Sequence, residues 1–509
     1  MRPRRRDLPR TGANEHGARA IRYRNLVNPF EPARIFSDDQ VESIHLTALE
    51  MLERQGMRVL SPRGREVMRA AGAKVDDSTQ MVYVERGMVA KALQTVPGEV
   101  ELVARNPARS CRVGGRHVVF APVAGPPSVM DLQHGKRTGS IEEFRNFVRF
   151  SQAFDVIHVL GQMVEPQDVA LSERHLETSL AQLTLGDKAP YFYCRGTPQL
   201  TDCFAMARIA HGMDEETFRS RPVCYTICNT NSPLQLDVPM TDGIVEFAAN
   251  GQLVIVTPFT LAGAMAPITI AGALTLAHAE ALLGITLTQA VRPGTPVMYG
   301  SFTSNVDMKS GSPAFGTPEY TKAAFGAGQL ARHIGVPWRC SSATASNAPD
   351  AQSVYESQMS LWGAVLGGCH FILHSAGWLE GGLTASYEKF ILDIEMLQMF
   401  AEIFQPVSTS VEDLAVEAVV EAGIGGHFFA TAHTMQRYRD AFYTPLVSDW
   451  RNYGAWSEDG ARSATERASR VARNTLEAFQ PPPLDPGIGE ALTDFVARRR
   501  SEGGALPVS

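Results

Sequence analysis

Cysteine is scarce in this chain: seven residues in 509, an odd number, with no two in CxxC spacing. That excludes a disulfide framework, and the expectation is a reducing, cytoplasmic setting. An excess of one charge is lacking too. Lys and Arg total 47 against 54 Asp and Glu, for a formal charge of −7, so no global field recruits nucleic acid or an anionic membrane. Long apolar runs are also missing. None reaches the roughly 18 residues a bilayer span needs, and Leu253 to Met265 is broken by Thr and Pro, so no membrane partner is expected. Met1 to Arg10 carries five arginines without an apolar segment behind them, which is not a secretory signal; residues 1–25 read as a disordered basic arm. What remains is ordinary for a folded protein, with 44% apolar, 20% charged and 8% aromatic residues.

The apolar pattern divides the rest of the chain. Ser37 stands as N-cap to a helix over 38–55, with Val41, Ile44, Leu49 and Leu52 at helical spacing. Short alternating runs at Met81 to Val84 and Glu99 to His117 predict a small sheet or hairpin, so residues 26–116 form an N-terminal helical and small β region. From about 117 a β-branched or aromatic run and a long amphipathic segment alternate. The runs are Val118 to Pro122, Val156 to Leu160, Tyr191 to Arg195, Val223 to Ile227, Leu253 to Thr257, Val297 to Gly300, Pro337 to Cys340 and Phe371 to His374. Helices are predicted at about 141–154, 169–185, 198–211, 238–250, 269–291, 318–334, 350–366 and 385–403. Eight consecutive units predict an α/β fold, a (β/α)₈ TIM barrel over 117–404, rather than a doubly wound open sheet. The longest connectors, Ala121 to Ser140, Ser301 to Thr317 and Ser341 to Asp350, follow strands. In a barrel they share the C-terminal face, where the site is expected. A C-terminal helical region, 405–509, follows. It holds a helix at Val411 to Val420, another at Ser463 to Phe479 stopped by Pro481 to Pro483, and a last one at Asp485 to Arg500.

The common catalytic motifs are absent: there is no GxSxG elbow and no Walker A pattern. Gly326-Ala-Gly328 lies inside a helical pattern and reads as close helix packing rather than a dinucleotide turn. His370 and His374 lack the HExxH context, and Cys224 and Cys228 have no acidic or histidine companions, so no metal site is predicted. His374 differs from His370 in falling at a strand's C-terminal end. Three loop segments, at 300–316, 350–356 and 374–382, mix aromatic and polar side chains near strand ends, as a small-molecule pocket requires.

These segments carry a resemblance. Asn28-Pro-Phe, Tyr299-Gly-Ser-Phe302, Pro318-Glu-Tyr320, Asp350-Ala-Gln352 with Tyr355-Glu356, Leu379-Glu-Gly-Gly-Leu383, Ser386-Tyr-Glu-Lys389, His433, Tyr443, Trp450 and Pro481-Pro-Pro-Leu-Asp485 resemble the trimethylamine methyltransferase family of corrinoid-dependent enzymes over nearly the whole chain. The resemblance implies a barrel that moves a methyl group from a methylated amine to the Co(I) of a separate corrinoid protein. The cob(I)alamin and methylcob(III)alamin belong to that partner, and no cofactor is bound tightly here. Archaeal members carry pyrrolysine, whose position falls in Ala343 to Asp350; this chain has only standard residues there. It is thus similar to the non-pyrrolysine branch, that of glycine betaine methyltransferase, which implies a quaternary, betaine-type amine; a homo-oligomer is a separate expectation.

Chemistry agrees with that class. A quaternary nitrogen leaves as a neutral tertiary amine, so its methyl group needs positioning more than acid or metal activation. Tyr299, Phe302, Tyr355 and Trp378 are the candidate cage for the cation, and Asp350 or Glu356 could add charge complementarity. Arg195 or Arg339, each at a strand end, could hold a carboxylate. His374, Gln352 and Glu380 could orient substrate, with His374, Asp350 and Glu380 the candidate catalytic groups. A barrel lyase or hydrolase on a quaternary amine, or a non-catalytic betaine-binding protein, are the competing readings.

Overall fold

The computed structural model describes residues 22–508. The expected basic arm, 1–25, lies outside them except for its last four residues, and three of those are tied to the body. Tyr23 N–H donates to Asp155, Arg24 reaches the Ala401 carbonyl and Glu402, and the Asn25 side chain donates to the Ser110 carbonyl.

The central element is a curled sheet of nine strands. Parallel pairing runs from His117–Phe120 through Phe371–Leu373, Trp338–Ser341 and Val297–Gly300 to Leu253–Ala262, which also pairs with Tyr225–Thr230. Leu26–Val27 adds an antiparallel edge, and Phe302–Val306 with Pro313–Ala314 extends the upper part of Leu253–Ala262. Helices Ile141–Ala153, Arg174–Leu185, Thr197–His211, Val238–Ala249, Ile270–Val291, Pro318–His333, Ala351–Leu366 and Tyr387–Ile403 occupy the eight predicted helical segments. Alternation of side chains along the strands divides the core. Met298, Phe371, Leu373, Tyr225 and Ile255 pack together on the concave side, while Val297, Tyr299, Val254 and Trp338 meet the helices.

Two of the eight expected strands do not form as strands, so the sheet departs from the eight-stranded ring expected from sequence. Val156 to Leu160 and Tyr191 to Arg195 contribute only single parallel bridges, Val159 to Ala189 and Tyr191 to Tyr225. Side chains take the place of ladder partners there. The Gln182 amide accepts from Tyr191 N–H and donates to its carbonyl, both at 2.9 Å, and His158 Nδ1 accepts from Phe120 N–H at 3.0 Å. With those backbone groups satisfied, a continuous ladder gains little there.

Three smaller sheets surround this core. Met57–Val59, Lys74–Asp76, Met81–Tyr83 and Gln235–Leu236 form one; Glu99–Leu102 and Cys111–Gly114 form a hairpin. The third joins Ser128–Asp131 and Gly135–Thr138 to Trp378–Leu379 and Thr384–Ser386, so the connectors after the first and eighth runs are ordered against each other. The predicted cap at Ser37 is a full capping box with Gln40, on helix Asp38–Arg54. Near the C-terminus, the helix expected at Val411 to Val420 is broken in two at Ala415, whose φ of 51° puts it in the left-handed region.

One helix stands out by its hydropathy. Helix Ile270–Val291 is long and apolar enough to cross a membrane, with a mean hydropathy of 1.6 over its most apolar window, but 83% of that window is buried inside the fold. It packs on the sheet and on helix Asp38–Arg54, and its polar groups are matched: Glu280 accepts from Thr230, Ser232 and Leu234 N–H. The paired glycines read as close packing are that. A Cβ on Gly328 would fall 2.2 Å from the Gly367 carbonyl oxygen, and one on Gly326 2.6 Å from Leu274.

Candidate active site

The residues that converge lie where Val297–Gly300, Trp338–Ser341 and Phe371–Leu373 end. Phe302 stacks on Phe315 with ring centroids 5.2 Å apart, and meets His374 at 5.6 Å and Trp378 at 6.1 Å. His374 and Trp378 are closer still, at 3.8 Å. The Arg339 guanidinium lies over the Phe302 ring, 5.6 Å from its centroid. Phe302, His374 and Trp378 each keep 7% of their surface accessible. Across the sheet, Asn229, level with Thr257 in the parallel register, is exposed.

Local backbone explains how these side chains meet. His374 follows its strand with a φ of 56°, which breaks the alternation of Phe371–Leu373 and is costly for a residue with a Cβ. Its Nδ1 shares a 3.1 Å hydrogen bond with the Ser341 hydroxyl. Burial, helped by the Arg339 charge, holds the imidazole pKa well below its ordinary value, so His374 is neutral. Trp378 begins the small third sheet and packs against Gly382, where a Cβ would fall 2.5 Å from the indole. Below it, the buried pair Lys389–Asp393 holds the turn, Asp393 accepting from Gly377 N–H at 2.9 Å.

Of the residues singled out from sequence, His374, Phe302, Trp378 and Arg339 come together and the others do not join them. Tyr299 faces the helices, its hydroxyl 3.2 Å from Nδ1 of buried His278. Tyr355 is 58% exposed on helix Ala351–Leu366, and Gln352 donates to Glu356 at 2.8 Å. Asp350 caps that helix, accepting from Ser353 N–H and the Ser346 hydroxyl. Glu356 clamps the loop after Trp338–Ser341, accepting from the Thr344 hydroxyl and from Ala345 and Ser346 N–H. Glu380 is paired with Lys136 and accepts from Thr384; burial raises its carboxyl pKa, but those two partners outweigh it and hold it below the ordinary value. Arg195 pairs with Glu165 at 3.1 Å and stacks on Tyr193, beside a cavity with room for about one water.

Sequence reasoning missed Phe315 and Tyr320, which complete the aromatic wall behind Phe302. Both lie in segments it had singled out, but their direction depends on how the connector folds back. His370, by contrast, uses both ring nitrogens in the fold, accepting from Trp338 N–H and donating to the Gly115 carbonyl. Among the described residues, no three His, Cys, Asp or Glu side chains are grouped so as to hold a metal ion.

The aromatic cluster lies past the C-terminal ends of parallel strands, the part of an α/β sheet where small-molecule sites are usually found. Residues 2–504 match the family described as trimethylamine methyltransferase (MTTB). The chain is 35% identical over 472 residues to a glycine betaine methyltransferase of Desulfitobacterium hafniense, strain Y51, covering 92% of this chain and 98% of that one. It is 31% identical to a trimethylamine methyltransferase, MttB, of a second strain of that species, over 92% of this chain and 94% of the relative. Among solved structures, the monomethylamine methyltransferase MtmB of Methanosarcina barkeri is similar over 88% of this chain and 96% of its own, at 12% identity and a TM-score of 0.47. The chain belongs to the trimethylamine methyltransferase family, and it is a methyltransferase.

Proposed function

We propose that this enzyme moves a methyl group from a quaternary, betaine-type amine, glycine betaine foremost, to the Co(I) of a separate corrinoid protein. The observation that carries this reading is the cluster of Phe302, Phe315, His374 and Trp378, in which burial keeps the imidazole uncharged. Aromatic faces attract a quaternary ammonium by about 0.5–2 kcal/mol per contact, and a neutral His374 adds no repulsion. The relative of 35% identity named for glycine betaine supports the same substrate class.

The chain's own residues supply position. The acceptor, a co-substrate, provides the electron pair of the new bond to the methyl carbon. The C–N pair leaves with nitrogen as a neutral tertiary amine, so no proton moves. Phe302 and Trp378 hold the cation, and His374 orients it. Asp350, Gln352, Glu356 and Glu380 act at one remove, by fixing the loops through the hydrogen bonds described above.

Leu132, Ile268, Met308 and Leu383 are exposed on strand-to-helix connectors, and Ile268 and Met308 flank one glycine, Gly263. Such an apolar rim suits a partner that presents its corrinoid over the strand ends. In the same reading the eight runs between 117 and 404 form one ring, the two bridges standing in for the missing strands. Val407, Val411, Val420, Ile424, Phe429 and Phe442 are also exposed, within a segment that buries little of itself; they are the surface on which we place a homo-oligomer, and sedimentation should return a multiple of the single-chain mass. The decisive experiment mixes the protein with a corrinoid protein reduced to Co(I) and with glycine betaine. Loss of the Co(I) absorbance with release of the tertiary amine is expected; no loss across a panel of betaines overturns the reading.

A further inference from the structure

Arg339 is the anomaly of this site. It is 1% exposed, yet no Asp or Glu among the described residues lies within ion-pair distance, and its one hydrogen bond, from Nη1 to the Ser301 carbonyl, is 3.5 Å long. Its Nε is buried without a partner. Other buried basic side chains are matched: Arg65 has Asp77 and two carbonyls, Lys188 has two carbonyls, and Lys389 has Asp393 and Ser357. Burial lowers the Arg339 pKa from its ordinary value, but a guanidinium stays protonated in proteins. A cation buried without a counter-ion is strongly disfavoured, and such groups are found paired.

Two further orphans lie close by. Trp378 Nε1 is buried without an acceptor, on the ring that meets both His374 and Phe302. Thr257 Oγ1 is buried without a partner and packs on Gly300, the residue opposite Arg339 in the parallel register. Two unused donors at the aromatic cluster, with the Thr257 hydroxyl next to them across Gly300, call for an acceptor that the described residues do not supply.

We infer that Arg339 anchors the carboxylate of the substrate and thereby selects net-neutral, zwitterionic quaternary amines over cations that lack a carboxylate. The inference rests on the methyl-transfer reading for its substrate, but the anion subsite itself does not. A guanidinium takes a carboxylate through parallel N–H bonds, and the indole N–H is available to the same group. With the carboxylate bound, the methylated nitrogen a few ångströms away lies among the aromatic faces. A substrate without a carboxylate brings a second positive charge to a low-dielectric site and leaves Arg339 unpaired. Arg195, the other arginine singled out from sequence, already has Glu165.

The test compares wild type, Arg339→Lys and Arg339→Met with glycine betaine, choline and 3,3-dimethylbutanoate, an uncharged-head isostere that keeps the carboxylate. Calorimetric binding is read first, because it does not depend on methyl transfer. Wild type should bind glycine betaine and 3,3-dimethylbutanoate; R339M should lose at least 100-fold on both, R339K about tenfold, and choline should bind R339M as well as or better than wild type. Ligand-free R339M should melt above the wild type, because a buried unpaired charge has been removed; a structural arginine would do the opposite. Equal losses for choline and glycine betaine, undiminished carboxylate binding by folded R339M, or no carboxylate binding by wild type would each overturn the inference. Carboxylate binding lost in R339M, with no methyl transfer from any betaine in wild type, would leave the subsite standing and defeat the reaction instead.

Discussion

Replacing Phe302 by leucine separates recognition of charge from recognition of shape. Leucine keeps much of the volume, so repacking should cost under about 1.5 kcal/mol, with a further loss of about 0.5–1.5 kcal/mol for each aromatic pairing that contributes. Phe302 touches Phe259, Phe315, His374 and Trp378, but such losses are not additive; a total near 2–3 kcal/mol is expected, which a domain of this size survives. The ligand effect is different in kind. Removing one ring face from a quaternary ammonium forfeits about 0.5–2 kcal/mol, which at about 1.4 kcal/mol per decade is roughly a 2- to 30-fold rise in Kd. Packing losses fall equally on glycine betaine and on its carbon isostere 3,3-dimethylbutanoate, whereas the cation–π loss falls only on the first. Four titrations, two proteins by two ligands, therefore isolate the charge-specific factor as a double-mutant cycle does. A factor near one would show that Phe302 lines the site without recognising the cation, and the aromatic-cage argument would fail with it.

Two other consequences can be checked on the same protein. Glu356→Gln turns one carboxylate oxygen, faced by the Thr344 hydroxyl and the Ala345 and Ser346 N–H groups, into an amide. Losing at least one charge-assisted bond should cost about 1.5–3 kcal/mol in urea denaturation and lower kcat through the loosened loop; unchanged stability would contradict the clamp. Stability should also depend on pH through His158, which burial pushes down to about 4. The unfolded chain takes up this proton below about 6.5 and the folded chain does not, so stability is complete above that pH and declines as pH falls toward 4, by about 1.4 kcal/mol per pH unit. His211 is pushed down to about 4 as well, again mainly by burial, and adds a parallel slope. His158→Gln should remove about one proton from the dependence of the urea midpoint on pH between 6.5 and 5; an unaltered slope would exclude His158 as a source.

Much of this architecture is legible in the sequence because helices announce themselves over many residues. All eight helical segments lie within a few residues of their predicted limits, the largest shift being at Arg174–Leu185, which starts later than expected. Strands of four residues carry less information, and side-chain substitutes for ladder partners, such as Gln182 at Tyr191 and His158 at Phe120, leave no trace in hydropathy. The site shows the same limit more sharply. Tyr299 and Phe302 sit three residues apart in one aromatic segment, yet one faces the helices and the other the cluster, because the chain changes course between Val297–Gly300 and Phe302–Val306. The two arginines differ in a way no local pattern encodes. Arg195 and Arg339 both lie in short hydrophobic runs, but what separates them is Glu165, 30 residues before the first and without an equivalent beside the second among the described residues. Whether a charge is spent on the fold or kept for a ligand is decided by its three-dimensional neighbours, so a buried charge left without a partner is evidence of function that only the assembled structure can supply.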